Sequence, residues 1–367
     1  MGADLDVLVD KKFLLELPSY QPGKPIEEVQ RELKLKEVIK LASNENALGP
    51  SPKALAAVKK SLKELHRYPD GSGYHLKQRL AKKLGVGAAS IMVGNGSDEI
   101  IVLTLRALIS PGDEVIVATP TFLIYEIAAR ACGAAVVSVP LKHLRYDLAA
   151  MRRLVTPKTK LIFIANPDNP TGTYVTKEEV EALLEGLPRH VLVYLDEAYF
   201  EFVEERNYPN GLHYLDRHPV LVTRSFSKAY GLAGLRIGFG VADAGLIACL
   251  ERLREPFNVN SLAQAAALAA LDDHRFLQKT RKLVREGKRY LYRKFQELGL
   301  RYLPSATNFI LVDAGRDSHA VALALLKRGV IVRDMTAWKL HHYLRVTVGT
   351  RAENERFVKA LKKCLAR

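Results

Sequence analysis

Short β-branched segments alternate with segments of helical periodicity along residues 91–241. The predicted strands are 91–93, 114–118, 135–139, 160–164, 191–195, 220–223 and 237–241. The predicted helices between them include 97–108, 122–132 and 178–184, the last with a capping box of Thr176 and Glu179. Apolar strands separated by helices are typical of a parallel sheet with both faces covered. The sequence therefore predicts a large α/β domain.

The segments on either side of this alternation have a different pattern. Before it, helices are predicted at 27–40, 51–65 and 74–84. After it, helices are predicted at 261–271, 273–298, 318–327 and 352–365, and strands at 309–312, 330–332 and 343–348. This mixture predicts a smaller α+β domain, and without a Gly- and Ser-rich linker we expect close packing. The predicted division is an N-terminal arm (1–45) that packs with the small domain, a large domain (46–258) and a small domain (259–367).

The 367-residue chain has a formal net charge of +15. A basic protein is a candidate for nucleic-acid binding. Lys and Arg are spread along the whole chain, however, and no Arg-rich tail or helix-turn-helix pattern occurs. We therefore interpret the charge as a solvated surface that attracts anionic small molecules, and we predict no nucleic-acid partner.

The cysteines and the apolar segments indicate in which cellular compartment the protein is found. Three scattered cysteines without a CxxC pair favour a reducing cytoplasm. Asp4, Asp6 and Asp10 precede any basic residue, a pattern that argues against a signal peptide. The least polar long stretch, 256–271, is shorter than the roughly 20 apolar residues of a bilayer span. We predict a cytoplasmic protein with no membrane partner.

Lys228 follows an apolar strand and is flanked by Ser225 and Ser227, with a glycine-rich stretch and Arg236 after it. A lysine at a strand end lies near the core, where burial lowers its pKa and allows the neutral amine to attack an aldehyde. The serines and Arg236 suit a phosphate. Taken alone, this segment could equally be an ordinary exposed loop.

Asp196 ends another apolar strand, at the edge where α/β sheets bind ligands. An aspartate there can pair with a pyridinium nitrogen, and Tyr199 could hydrogen-bond a phenolic oxygen on the same ring. The alternatives are a helix cap or a Mg²⁺ ligand of a Walker B strand. The Walker alternative needs GxxxxGK[ST] upstream, which is absent, and we predict no metal site.

Two turns follow other strands of the predicted sheet. In residues 165–172 two Asn/Asp-Pro steps and a glycine form a rigid turn that presents Asn169. At 93–98 a glycine turn enters a helix, so the amides of Gly96, Ser97 and Asp98 point at one spot and suit a phosphate. A plain Ser97 helix cap is compatible with the same amides.

These segments together resemble the class II aminotransferases of the histidinol-phosphate aminotransferase family, which are fold-type I enzymes dependent on pyridoxal 5′-phosphate (PLP). The resemblance runs from about Tyr20 to the C-terminal helix. Its most specific parts are 41–50 (LASNENALGP), 169–172 (NPTG), Asp196 with Tyr199, 225–236, and 343–350 (YLRVTVGT). It implies a seven-stranded, mostly parallel sheet between helices, with a smaller α+β domain.

The resemblance also implies a role for each matching residue. Lys228 would hold the cofactor as a Schiff base, Asp196 would pair with the ring nitrogen, and Tyr199 and Asn169 would bind the phenolic oxygen. The implied phosphate ligands are the amides of Gly96, Ser97 and Asp98, with Ser225, Arg236 and Ser227. Phe122 would stack on the ring, with Tyr125 as a nearby alternative. Tyr68 would reach the cofactor phosphate of a second subunit in a homodimer with shared sites.

The implied reaction is transamination of histidinol phosphate with 2-oxoglutarate in histidine biosynthesis. Tyr20, Arg333 and Arg345 match the substrate-binding residues, although Arg333 could also be a surface charge at a strand end. The chain departs from the family in having Asp168 where Asn is common and Ala47 where Pro is common. The alternatives are an aromatic-amino-acid aminotransferase, a threonine-phosphate decarboxylase, or a basic nucleic-acid-binding protein with a vestigial PLP fold.

Overall fold

A computed structural model describes residues 23–366 of the chain, and its strands form two sheets. The strands are β1 Ile39–Leu41, β2 Ile91–Gly94, β3 Glu114–Thr119, β4 Ala135–Pro140, β5 Thr159–Ala165, β6 Leu192–Asp196, β7 Val220–Ser225, β8 Gly238–Val241, β9 Phe309–Asp313, β10 Val330–Asp334 and β11 Tyr343–Thr347. The predicted strands of both domains are all present, with ends that differ by at most two residues. The sequence did not predict β1.

The larger sheet has seven strands in the order β2-β8-β7-β6-β5-β3-β4. Neighbouring strands in this sheet are parallel, except that β8 is antiparallel to both β7 and β2. Every residue of β6 and β7 is buried, as expected for strands that helices cover on both faces. The mostly parallel, seven-stranded sheet is therefore confirmed.

Twelve α-helices accompany the sheets within the described residues. They are α1 Ile26–Leu33, α2 Pro52–Ser61, α3 Tyr74–Leu84, α4 Ser97–Leu108, α5 Ile124–Ala131, α6 Leu148–Arg153, α7 Lys177–Glu185, α8 Ala244–Glu251, α9 Ser261–Leu271, α10 His274–Glu297, α11 Ser318–Leu326 and α12 Arg351–Leu365. The capping box of Thr176 and Glu179 is confirmed at the start of α7. The sequence missed α6 and α8, which span only 6 and 8 residues and offer little periodicity.

The prediction of one helix over 27–40 is wrong, because α1 ends at Leu33. Lys34 adopts a left-handed φ of 52°, a conformation that ends helices. The chain then extends, and Ile39 pairs with Val330 of β10 in a parallel ladder. The hydrogen bonds of a strand nearly 300 residues away in sequence thus override the local helical pattern. Similarly, α2 is shorter than predicted, since a 3₁₀ turn follows it at Leu62–Glu64.

The smaller sheet has the order β1-β10-β11-β9. Helix α11 packs on β10, and α12 packs on both α11 and α10. Helix α9, by contrast, packs on α2 and shares a core cluster with β2 and β8. The boundary predicted after residue 258 assigns α9 to the small domain, and the domain division stays a prediction. Between residues 23 and 366 no helix has the length and apolarity that a membrane crossing requires.

Candidate active site

One cavity of about 200 Å³ lies at the carboxyl edge of β5, β6 and β7, beside the start of α4 and facing the smaller sheet. Many of the predicted site residues line it, namely Ser97, Asp98, Phe122, Asn169, Asp196, Tyr199, Ser225, Ser227, Lys228, Arg236, Arg333 and Arg345. The strand ends bring them together because parallel strands present their carboxyl ends at a single sheet edge.

Asp196 lies at the buried end of the cavity. Its Oδ2 accepts a 2.7 Å hydrogen bond from the hydroxyl of Tyr125, and its Oδ1 accepts one of 3.1 Å from the amide of Ala198. Burial raises the pKa of Asp196 to about 6, although the Tyr125 hydrogen bond acts in the opposite direction. The carboxylate is thus held in one orientation and would be stabilised by a cationic partner.

Lys228 is partly buried and lies above the ring of Tyr199. Its Nζ is 5.8 Å from the centre of that ring and 3.4 Å from the carbonyl oxygen of Ser43, to which it donates. The Tyr199 hydroxyl accepts a 2.9 Å hydrogen bond from Asn44 Nδ2, and burial raises its pKa to about 12. Tyr199 is therefore a neutral hydrogen-bonding group near the amine at physiological pH.

Asn169 is presented by the turn after β5, and its Oδ1 accepts a hydrogen bond from Nη1 of Arg345. The turn is anchored by the buried Asp168, which accepts hydrogen bonds from the hydroxyls of Thr121 at 2.8 Å and Thr171 at 2.7 Å. Burial raises the pKa of Asp168 to about 6. The aspartate that departs from the family pattern thus fixes the turn, and it does not line the cavity.

The opposite end of the cavity is more exposed. Arg236 Nη2 lies 3.5 Å from Asp98 Oδ2, and Nη1 donates to Ser227 Oγ at 3.5 Å. A Cβ on Gly96 would lie 2.5 Å from Arg236 Nη2, and Gly96 has a φ of +84°. A side chain at Gly96 would be strained at this φ and would displace the guanidinium from the first amides of α4, where the helix dipole favours an anion.

The structure distinguishes the two candidate aromatic rings. Tyr125 is buried and stacks on Phe163, with ring centres 4.6 Å apart and an interplanar angle of 9°. Phe122 meets Tyr125 edge to face and lines the cavity more openly. The Tyr125 ring is therefore engaged in the core and its hydroxyl on Asp196, which leaves Phe122 as the ring in position to stack on a ligand.

The family model for aminotransferase class I and II matches residues 36–361. The chain belongs to the class I and II aminotransferases. The histidinol-phosphate aminotransferase of Moorella thermoacetica is 51% identical to it over 97% of this chain and 93% of that protein. Histidinol-phosphate aminotransferase 2 of Carboxydothermus hydrogenoformans is 48% identical over 97% and 99% of the two chains.

A solved structure of an aminotransferase is also similar to this chain. The crystal structure of histidinol-phosphate aminotransferase from Sinorhizobium meliloti in complex with pyridoxal-5′-phosphate has a TM-score of 0.89 and 30% identity, and the match covers 96% of each chain. The fold of this aminotransferase and that of the Sinorhizobium enzyme therefore agree over nearly their whole length.

Among the described residues, the predicted site residues Gly96 and Tyr68 do not line the cavity of this aminotransferase. Tyr68 is 82% exposed and stacks on Phe257, with ring centres 4.7 Å apart, away from the cavity of its own chain. Tyr20 lies outside the described residues. Two further residues of the site, Asn44 and Tyr125, act through contacts that the sequence does not reveal: Asn44 donates to the hydroxyl of Tyr199, and Tyr125 donates to Asp196.

Proposed function

We propose that this aminotransferase transfers the amino group of L-histidinol phosphate to 2-oxoglutarate, giving imidazole acetol phosphate and L-glutamate in histidine biosynthesis. The observation that carries the proposal is the convergence of Lys228, Asp196, Arg333 and Arg345 on one cavity. Relatives that are 51% and 48% identical bear the name of this activity. No observation favours the aromatic, decarboxylase or nucleic-acid alternatives.

The cavity fits PLP as cofactor, because each part of PLP has a complementary group. Arg236, Ser225, Ser227 and the first amides of α4 suit its phosphate, the Asp196 carboxylate suits its ring nitrogen, and the amine of Lys228 suits its aldehyde. The crowding that a Cβ on Gly96 would meet is consistent with a backbone kept bare for an anion. When bound, PLP supplies an electron sink for the bonds that break at the substrate carbon.

Lys228 is the proposed carrier of both the cofactor and the proton. With the cofactor bound, Nζ of Lys228 would be the base that takes the proton from the substrate carbon that bears nitrogen. The same Nζ would be the acid that returns a proton to the cofactor. The carbonyl of Ser43, 3.4 Å away, accepts from Nζ and helps to orient it.

Asp196, Tyr199 and Asn169 hold the ring in the proposed site. The charge of Asp196 keeps the ring nitrogen protonated, and a cationic nitrogen beside it in turn lowers the pKa of the carboxyl. Tyr199 would donate a hydrogen bond to the phenolic oxygen, since its own hydroxyl oxygen already accepts one from Asn44 at 2.9 Å. Asn169 adds its amide group, and Phe122 stacks on the ring face.

Arg333, Arg345 and Tyr20 are the proposed substrate contacts. Arg345 is buried, and its Nη2 donates to the Ala42 carbonyl at 2.8 Å, which fixes the guanidinium plane. The two guanidiniums face one cavity and can each bind an anionic group. They therefore suit the phosphate of histidinol phosphate in one half-reaction and the carboxylates of 2-oxoglutarate in the other.

We also propose a homodimer with shared active sites in the cytoplasm. The exposed Tyr68 is one of several exposed apolar side chains near the start of the large domain, with Leu48, Leu55, Leu62, Leu65 and Tyr74, and it stacks on the exposed Phe257. Such a set marks an interaction surface. In a second copy seated there, Tyr68 would reach the cofactor phosphate of its neighbour.

The proposed function is tested by steady-state rates with histidinol phosphate, phenylalanine and threonine phosphate, each with 2-oxoglutarate as acceptor. We expect the highest kcat/KM with histidinol phosphate and formation of glutamate. A higher kcat/KM with phenylalanine, or release of CO₂ from threonine phosphate, would contradict the assignment. A colourless protein that binds DNA with a steep salt dependence would favour the nucleic-acid alternative.

A further inference from the structure

Trp338, the only tryptophan of the chain, is 4% exposed beside the two cavity arginines. The guanidinium carbon of Arg333 lies 5.1 Å from the centre of its ring, and that of Arg345 lies 6.0 Å away. Both distances are within the range of cation–π attraction. A single side chain behind the cavity thus contacts both of the residues proposed to bind the substrate.

The register of the two arginines places like charges side by side, and Arg345 also has the ring of Phe309 at 5.3 Å. Arg333 of β10 is paired directly with Arg345 of β11 in the antiparallel ladder, so both side chains leave the same face of the sheet. Like charges at directly opposed positions repel each other. The face of an aromatic ring attracts each guanidinium without cancelling its charge, whereas a carboxylate would neutralise it. Asp334 is the next residue along β10, where side chains alternate between faces, and it accepts hydrogen bonds from Ser318 and Thr336.

Trp338 also connects the smaller sheet to the loop that carries Phe122. Its indole Nε1 donates a 2.8 Å hydrogen bond to the carbonyl oxygen of Thr121, the residue before Phe122. Its ring packs in a cluster with Leu311 of the smaller sheet and with Leu123 beside the larger one. The indole ring of Trp338 therefore fixes the position of the two arginines relative to the ring of Phe122, which faces the cavity.

We propose that Trp338 is a positioning residue for recognition of the phosphate of the amino donor. It holds Arg333 and Arg345 at a fixed spacing with their charges undiminished, so that the pair favours a phosphorylated donor over its unphosphorylated counterpart. This inference rests on the proposed function and deepens it.

The first test compares kcat/KM for L-histidinol phosphate with kcat/KM for L-histidinol in the holoenzyme. Trp338→Leu should lower this ratio about tenfold, as expected for loss of a desolvated cation–π contact. The matched control is Leu303→Ala, which disturbs the same apolar cluster and should leave the ratio unchanged. An unchanged ratio in Trp338→Leu, or an equal fall in Leu303→Ala, would overturn the inference.

The second test measures binding without turnover. The enzyme is loaded with pyridoxamine 5′-phosphate, the amino form of the cofactor, which reacts only with a 2-oxo acid. With no 2-oxo acid present, it is titrated calorimetrically with L-histidinol phosphate. Because Trp338 acts through Arg333, the loss of affinity in the double variant Trp338→Leu/Arg333→Gln should be smaller than the combined losses of the two single variants. Additive losses would show that Trp338 acts independently of the arginine and would overturn the inference.

A third measurement needs no variant, because all tryptophan emission comes from Trp338. In the pyridoxamine-loaded wild type, L-histidinol phosphate should change that emission more than L-histidinol does at equal occupancy, and equal changes would contradict the inference. Failure of the wild type to turn over histidinol phosphate would refute the proposed function. Normal turnover with an unchanged specificity ratio in Trp338→Leu would refute only the role of Trp338.

Discussion

The two ends of the cavity are built in opposite ways. At the ring end, Asp196 is 6% exposed, continues a buried strand, and accepts a 2.7 Å hydrogen bond from a tyrosine that is itself stacked in the core. At the phosphate end, the side chains of Arg236 and Asp98 are 46% and 50% exposed, and their closest atoms are 3.5 Å apart. The same ligand would therefore meet a buried, prearranged group at one end and solvated charges at the other.

This difference predicts unequal sensitivity to substitution and salt. Interactions among buried, oriented groups are strong because little water screens them. Charges at a half-exposed site are weakened by solvent and ions, and much of the anion binding there falls to backbone amides that no side-chain change removes. Substitutions at the ring end should therefore reduce activity more than those at the phosphate end.

The largest loss is expected for Lys228→Ala. Removing the amine eliminates both the covalent attachment and the proton transfer, so kcat should fall by about 10³-fold or more, while the protein still binds PLP noncovalently. Lys83→Ala is a matched control, since this lysine of α3 does not line the cavity and should be dispensable for turnover. Near-normal turnover of Lys228→Ala would refute its role in proton transfer.

Asp196→Asn should give the next largest loss. An amide keeps a partner for Tyr125 but cannot stabilise a protonated ring nitrogen, so kcat should fall by about 10²–10³-fold. Steady-state kinetics at saturating PLP would measure this loss. A kcat within twofold of the wild type, at full cofactor occupancy, would contradict the proposed pairing.

The same variant tests the pKa of Asp196 in the cofactor-free protein. Burial raises that pKa to about 6, so the protonated form is favoured by folding, and its stabilising contribution is lost as pH rises through about 6. The cofactor-free Asn variant should therefore gain stability relative to the wild type between pH 4 and pH 7. Thermal unfolding across this range would measure the difference, and a constant difference would exclude the raised pKa.

Tyr125→Phe should have an intermediate effect, with kcat or the affinity for PLP lowered about tenfold, because the buried Asp196 loses a hydrogen bond to its charged form. The matched control is Tyr214→Phe, a buried tyrosine of the same core cluster that does not line the cavity. Equal effects of the two substitutions would show that Tyr125 contributes only packing.

The smallest effect is expected for Arg236→Gln, with PLP bound several-fold more weakly and kcat little changed. Because the site is half exposed, the loss should shrink between about 0.1 M and about 1 M salt, as ions screen the charge of the wild type. Binding titrations at the two salt concentrations would measure it. A loss that is independent of salt and larger than that of Asp196→Asn would overturn the comparison between the two ends.

Most of the residues that the sequence singled out for the two ends line the one cavity, because both sets follow short motifs at strand ends. The sequence did not reveal the partners that orient them. Asn44 reaches Tyr199 across 155 residues, and Trp338 reaches the Thr121 carbonyl across 217. Contacts of this kind arise from tertiary packing, which local periodicity does not encode. The wrong helix over 27–40 has the same cause, since its end is set by pairing with the distant β10.

Lys228, as the proposed carrier of the cofactor, is the residue on which the proposed chemistry depends most directly. Borohydride reduction of the PLP-loaded protein, followed by proteolysis and mass spectrometry of the peptides, would identify the attachment site. We predict that the reduced pyridoxyl group is on Nζ of Lys228 and that Lys228→Ala yields no labelled peptide. A stoichiometric label on any other lysine, or none in a protein that transaminates, would contradict the account.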